Sequence, residues 1–136
     1  MTGEGTVYLD SSALVKLVVQ EAESAALRRD LRTARTRASC ALARVEVEHA
    51  VSPQGGAALR RARAMLNAME LLQLDDVLLT AAATLARGPL RTLDALHLAA
   101  ASALGEDLDA LITYDRRMAD AATALDMRVR TPGLRR

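Results

Sequence analysis

Five short runs of β-type residues, four of them followed by a longer stretch of helical spacing, limit what this chain can become. The runs are Thr6–Asp10, Arg37–Cys40, Glu70–Leu74, Asp109–Thr113 and Met127–Arg130. Between them apolar residues recur every three or four positions, as on one face of a helix. These stretches are Ser11 or Ser12 to Val18, Glu21–Ala34, Ala41–Val51, Ala57–Ala68, Val77–Ala86, Thr92–Leu104 and Arg116–Leu125. Ser11 or Ser12, Asp75 and Thr92 are candidate N-caps, and Gly105 is a C-terminal stop. Ser52-Pro53-Gln54-Gly55-Gly56 and Gly88-Pro89 break the pattern. Neighbouring parallel strands need long crossovers, which helices supply. The alternation therefore predicts an α/β domain with a mostly parallel sheet of four to five short strands, covered by helices on both faces.

The 136 residues fit a single domain spanning 1–136, and 51% hydrophobic residues can build its core. The apolar runs, such as Val77–Ala86, fall short of the ~20 residues a membrane helix needs. Met1-Thr2-Gly3-Glu4-Gly5 lacks the basic start of a signal peptide. A cytoplasmic protein without a membrane association is expected. Cys40 is the single cysteine, which excludes an internal disulfide, and is expected to be a small buried hydrophobe.

Tyr8 and Tyr114 are the only aromatic side chains, so a platform for base stacking is poorly supplied. A net charge of +1 excludes a strongly basic coat. Any nucleic acid would have to be held by local charge and cleft shape. Arg28, Arg29, Arg32, Arg35 and Arg37, and again Arg60, Arg61 and Arg63, offer guanidinium forks suited to phosphate oxygens. Solvated helix faces are their ordinary reading.

Four acids stand where a structural acid is not expected. Asp10 ends the first strand, and Asp115 follows Ile112-Thr113-Tyr114. Ligands of open α/β sheets bind at such strand ends. Asp94 interrupts the apolar run Leu93–Ala101, and Glu46 shares a helical stripe with Leu42, Val45 and His49. Carboxylates in apolar surroundings are costly unless paired, and converging carboxylates repel. A divalent cation relieves both problems, and oxygen ligands with open water positions suit Mg²⁺ or Mn²⁺. Singly, each acid could equally be a cap or a surface charge; for Asp115 a helix cap is the stronger alternative.

Four segments carry a family resemblance. Tyr8-Leu9-Asp10-Ser11-Ser12-Ala13-Leu14-Val15-Lys16-Leu17 resembles the opening motif of VapC-type PIN domains, and Ser39–Val47 their second motif. Leu90–Ala101, with Thr92-Leu93-Asp94-Ala95-Leu96-His97 at its centre, resembles the third, and Thr113-Tyr114-Asp115-Arg116-Arg117-Met118 the fourth. All four occur in family order over nearly the whole chain. The resemblance implies a PIN-like three-layer sandwich and a Mg²⁺-dependent endoribonuclease, with Mn²⁺ as substitute. It implies Asp10, Glu46, Asp94 and Asp115 as the metal-binding and catalytic acids. It also implies an RNA substrate, the toxin's place in a VapBC-type toxin–antitoxin pair, inhibition by a cognate VapB-type antitoxin, and a homodimer. Some PIN relatives carry a fifth acid two residues after the fourth; Arg117 stands there in this chain.

Ser12 and Thr113, each two residues from an acid, could support a carboxylate or a water; a local turn or cap is the commoner use. His97 lies one helical turn from Asp94 and could be a base or ligand, although packing is the commoner role of such a residue; His49 is read as packing or surface. A haloacid-dehalogenase-like phosphatase would need a second acid where Ser12 stands. Glycine fingerprints of nucleotide-binding folds and the Gly-x-Ser-x-Gly elbow are missing. The alternatives are an inactive PIN-fold module that binds RNA or protein, and a PIN nuclease outside a toxin–antitoxin pair.

Overall fold

A computed structural model describes residues 5–134 and has a five-stranded sheet at its centre. The strands are β1 (Thr6–Leu9), β2 (Thr36–Cys40), β3 (Glu70–Leu72), β4 (Leu108–Ile112) and β5 (Val129–Arg130). The helices among the described residues are α1 (Ser11–Val18), α2 (Ser24–Asp30), α3 (Ala43–Val51), α4 (Gly56–Asn67), α5 (Asp76–Leu85), α6 (Thr92–Ala103) and α7 (Arg116–Ala124). The strand order is β3-β2-β1-β4-β5, and every neighbouring pair is parallel. The expected α/β sheet is thus present with five strands.

Strand alternation sends neighbouring side chains of β1 to opposite faces. Val7 and Leu9 join one core with Leu14, Leu27, Val47 and Leu66, drawn from α1 to α4. Tyr8 joins the other, with Leu78, Leu98, Leu111 and Met118. Each buried Leu of these two layers contributes about 1.5–3 kcal/mol. Both faces being covered explains why the strands read as apolar runs rather than as alternating patterns.

The chain builds outward from β1 to β2 and β3, then crosses back to place β4 on the other side of β1. The direction of winding reverses between β1 and β4. That switch point leaves a crevice at the C-terminal ends of the two strands, where loops diverge to opposite faces. Leu9 pairs with Ile112 there, and the Asp10 amide donates to the Ile112 carbonyl at 3.2 Å.

Several element ends differ from the sequence expectation. The cap of α1 is Asp10, not Ser11 or Ser12; its carboxylate accepts the Ala13 amide at 3.1 Å. α2 starts at Ser24 rather than Glu21, because Ser24 Oγ accepts the Glu21 amide at 2.9 Å and closes a turn there. Beyond Asp30 the chain tightens into a 3₁₀ turn over Leu31–Thr33. Arg91, without a side-chain cap, occupies the position expected for Thr92. Asp75 caps α5 as expected, accepting the Leu78 amide at 2.9 Å. β3 stops at Leu72, two residues early, and β5 starts at Val129. Gly105 follows α6 with φ +56°, a left-handed conformation that suits glycine.

Candidate active site

Asp10 leaves β1 and Asp115 follows β4, so the switch point brings both to one edge of the sheet. Asp10 is 3% exposed. Ser12 Oγ donates to its Oδ1 at 2.6 Å, and Thr113 Oγ1 donates to its Oδ2 at 2.5 Å. The same two hydroxyls accept backbone amides in turn. The Tyr114 amide donates to Ser12 Oγ at 2.9 Å, and the Asp115 amide to Thr113 Oγ1 at 3.1 Å. Ser12 and Thr113 therefore support a carboxylate while also fixing the loop after β4. Asp115 caps α7, accepting the Arg117 and Met118 amides at 2.8 and 3.3 Å.

Glu46 approaches from the first complete turn of α3 and is held differently. Its Oε1 accepts the Ser11 hydroxyl at 2.5 Å and stands 2.7 Å from His97 Nε2. The other imidazole nitrogen, Nδ1, is 2.7 Å from the Tyr8 hydroxyl and 3.8 Å from Cys40 Sγ. His97 is buried between α6 and the sheet, so both of its nitrogens are satisfied by side chains from other elements. His49, by contrast, is exposed on α3.

The environment raises the carboxyl pKa of Asp10 and Asp94 and lowers that of Glu46. Burial pushes the Asp10 carboxyl up, against the Ser12 and Thr113 hydrogen bonds that favour its anion. Burial also pushes Asp94 up, and the nearby charges of Asp115 and Glu46 add to the shift; His97 and Arg91 work against it. Asp94 on α6 is therefore within electrostatic range of acids from α3 and from the loop after β4. Burial would raise Glu46 as well, but the His97 and Ser11 hydrogen bonds outweigh it and hold its carboxyl low. For His97, burial opposes the charge, yet the Cys40 and Glu46 hydrogen bonds hold its pKa up at about 10.

The chain has 18 Lys and Arg. Among the described residues none forms a salt bridge with Asp10, Glu46, Asp94 or Asp115; the ion pair of Glu46 is with His97. A hard cation fits this donor set, since every candidate ligand is a carboxylate and, among the described residues, only Glu46 has a basic side chain, His97, as its partner. Among the described residues no three His, Cys, Asp or Glu side chains are gathered tightly enough to enclose a metal by themselves.

A cavity of about 730 Å³ opens beside Asp94, floored by Leu90, Leu98, Ala121 and Leu125 and flanked by Arg91 and Arg117. A smaller hollow of about 440 Å³, at Gly105, Leu108 and Asp126, contains none of the four acids. Of the clustered arginines, Arg63 pairs with Glu48, and Arg61 donates to the Val18 carbonyl. These two act within the fold.

Tyr8 and Ser11 are the members of this site that sequence reasoning missed. Tyr8 carried a usable signal: a hydroxyl-bearing residue in a buried strand must find a partner. Ser11 carried none, because a hydroxyl next to a strand end reads first as a cap.

The PIN domain family model matches residues 7–124. This chain belongs to the PIN-domain family. It is 52% identical over 126 residues to a Mycobacterium tuberculosis protein named Ribonuclease VapC46, covering 93% of this chain and 97% of that one. Ribonuclease VapC35 of the same organism is 42% identical over 134 residues, and Ribonuclease VapC47 35% over 133, with the same coverage. Within the family the chain is therefore of the VapC type. No helix among the described residues is long and apolar enough to cross a membrane.

Proposed function

We propose that this chain is a Mg²⁺-dependent endoribonuclease, the toxin of a VapBC-type pair, cytoplasmic and folded as one PIN domain over 1–136. The carrying observation is Asp10 and Asp115 at the switch point, with Asp94 on α6 close enough to feel the charges of Asp115 and Glu46, and none of the four in a salt bridge with a described Lys or Arg. The names of the VapC relatives support RNA as substrate.

Asp10, Glu46, Asp94 and Asp115 would hold the cation, with Mn²⁺ able to replace Mg²⁺. When bound, it supplies Lewis-acid polarisation of a phosphoryl oxygen and acidifies a water for attack on phosphorus. Ser12 and Thr113 keep the Asp10 carboxylate fixed and favour its anion against the burial that raises its pKa. Asp115, locked as a helix cap, presents its charge without rotamer freedom. Glu46 is held as an anion and is the group suited to orient the attacking water. Arg91 and Arg117 stand where they can take flanking phosphates, and the cavity they border can seat part of the neighbouring nucleotide. With two tyrosines in the chain, both engaged in the fold, charge and shape rather than stacking hold the RNA.

The inhibitory partner is a VapB-type antitoxin that covers the acidic edge. A homodimer is part of the same proposal and rests on the resemblance to the family alone.

Purified protein should cut RNA in the presence of Mg²⁺ or Mn²⁺, stop on addition of EDTA, and spare a DNA of matched sequence. Asp10→Asn and Asp94→Asn should be folded and inactive. Unchanged cutting by both variants would remove the proposed site. Failure of wild-type protein to cut any RNA or to bind Mn²⁺ would favour an inactive PIN-fold module instead.

A further inference from the structure

Glu46 is the one candidate ligand reached by a chain of buried side chains. Ser11 and His97 both contact Oε1, so neither of these bonds occupies Oε2. Behind His97 stands Tyr8, 0% exposed, with its hydroxyl on Nδ1. The two rings meet edge to face, with centroids 5.8 Å apart and planes at 75°. In the neutral imidazole the Tyr8 hydroxyl donates to Nδ1, which places the ring proton on Nε2. In the charged imidazole both nitrogens carry protons, and Nδ1 donates to the phenol oxygen. In either state an N–H at Nε2 points at Glu46 Oε1.

A His that merely fills space in the second core would need no acceptor outside it. Here its outer nitrogen reaches a half-buried carboxylate on α3, across from α6. The contact joins the α3 and α6 motifs through one hydrogen bond, with β1 fixing the ring from behind. Partners of this kind orient ligands and tune them.

We infer that Tyr8 and His97 form a positioning pair for Glu46, anchoring Oε1 so that Oε2 is the oxygen offered to the cation or its water. The inference rests on the metal reading proposed above and adds to it the device that sets one ligand. Cys40 Sγ, 3.8 Å from Nδ1, is a second, longer contact of the same inner nitrogen.

The test compares His97→Gln, His97→Leu, Tyr8→Phe and Glu46→Gln with wild type. Gln can reproduce the donor at Nε2, whereas Leu has similar bulk and no donor. Mn²⁺ affinity of the RNA-free protein is read by calorimetry, kcat and KM by RNA cleavage, and folding by circular dichroism. His97→Leu should weaken Mn²⁺ binding by about 10–100-fold and lower kcat while KM for RNA stays near wild type. His97→Gln should recover most of the affinity. Tyr8→Phe, which keeps the ring and removes the hydroxyl, should weaken binding in the same direction by less. If His97→Leu and Tyr8→Phe are folded and bind Mn²⁺ as wild type does, while Glu46→Gln binds weakly, the pair does not position Glu46. Equal losses in His97→Gln and His97→Leu would overturn it too, since packing alone would then explain them. If wild type itself neither binds Mn²⁺ nor cuts RNA, the metal reading and this inference fall together.

Discussion

The molecule holds its acids in two ways. On one side of the fold, Arg130 of β5 forks onto Asp30 of α2, at 3.1 and 2.9 Å, and also reaches Asp109 of β4 at 3.3 Å. Glu48 and Arg63 pair likewise, as do Glu23 and Lys16. At the C-terminal edge of β1 and β4 the partners change. Asp10 is held by two hydroxyls and an amide, Asp115 by amides, and Glu46 by a hydroxyl and an imidazole. Hydroxyls and amides orient a carboxylate without cancelling its charge. The first group of acids is matched by Lys and Arg; in the second, among the described residues, Asp10 and Asp115 have no such partner and Glu46 has His97.

Removing charge from the second group should have the largest effect on function. Loss of one direct ligand removes several kcal/mol of transition-state stabilisation, so Asp10→Asn should slow RNA cleavage by at least about 100-fold. Arg130→Ala, which disturbs the first group, should leave kcat within about threefold, because its effect falls on stability rather than on the transition state. Comparable losses in kcat from both variants, measured on folded protein, would erase the distinction between the two groups.

The next effect is the response of stability to metal. A ligand that binds only the folded state at a hundred times its Kd stabilises by about 2.7 kcal/mol. Mg²⁺ should therefore raise the Tm of wild type and do little for Asp10→Asn. An equal rise in both would place the ion elsewhere.

Without metal the two groups should respond to neutralisation with opposite signs. Burial disfavours the Asp10 anion, and Asn can still accept the Ala13 amide as a cap, so Asp10→Asn should hold or raise the metal-free Tm. Asp30→Asn breaks a charge-assisted fork at a half-buried position and should lower stability by about 1–2 kcal/mol. Denaturant midpoints of the two variants check this pair. A fall for Asp10→Asn as large as that for Asp30→Asn would make Asp10 a structural acid.

How much of this was legible in the sequence differs between the two groups as well. The strand–helix alternation carried the layers, the parallel sheet and the positions of Asp10 and Asp115, because strand ends are local features. Asp94 and Glu46 stood out as charges on apolar helix faces, and the resemblance singled out the same residues. The hydroxyl cradle around Asp10 spans 103 positions from Thr113 and depends on the register of β1 against β4. The Tyr8–His97 contact spans 89. No spacing rule reaches across such separations. Local ends misled for a related reason: at Ser12 the hydroxyl donates to the acid that was free to do the capping itself, and at Ser24 a side chain closed a turn before the helix could start.

The smallest effect separates the groups by pH. The Lys16 ammonium, 2.5 Å from Glu23 Oε1, holds the Glu23 carboxyl below its ordinary 4.5. A carboxyl lowered on folding contributes stability that is complete above the unfolded pKa and is lost as pH falls through the folded one. Burial works against the Lys16 charge, but hydrogen bonds to Glu23 and Glu21 outweigh it and hold its pKa above 10.5. That contribution is complete below 10.5 and is lost as pH rises through the folded value. Lys16→Met should therefore narrow its stability gap to wild type at both ends, below about pH 4 and above about pH 11, and show it in full between them. Salt should shrink the gap in that window, since both partners are reached by solvent. A gap that is constant from acid to alkali would mean that Lys16 acts through its packing on the Tyr114 ring, whose centroid lies 4.7 Å away, rather than through the pair.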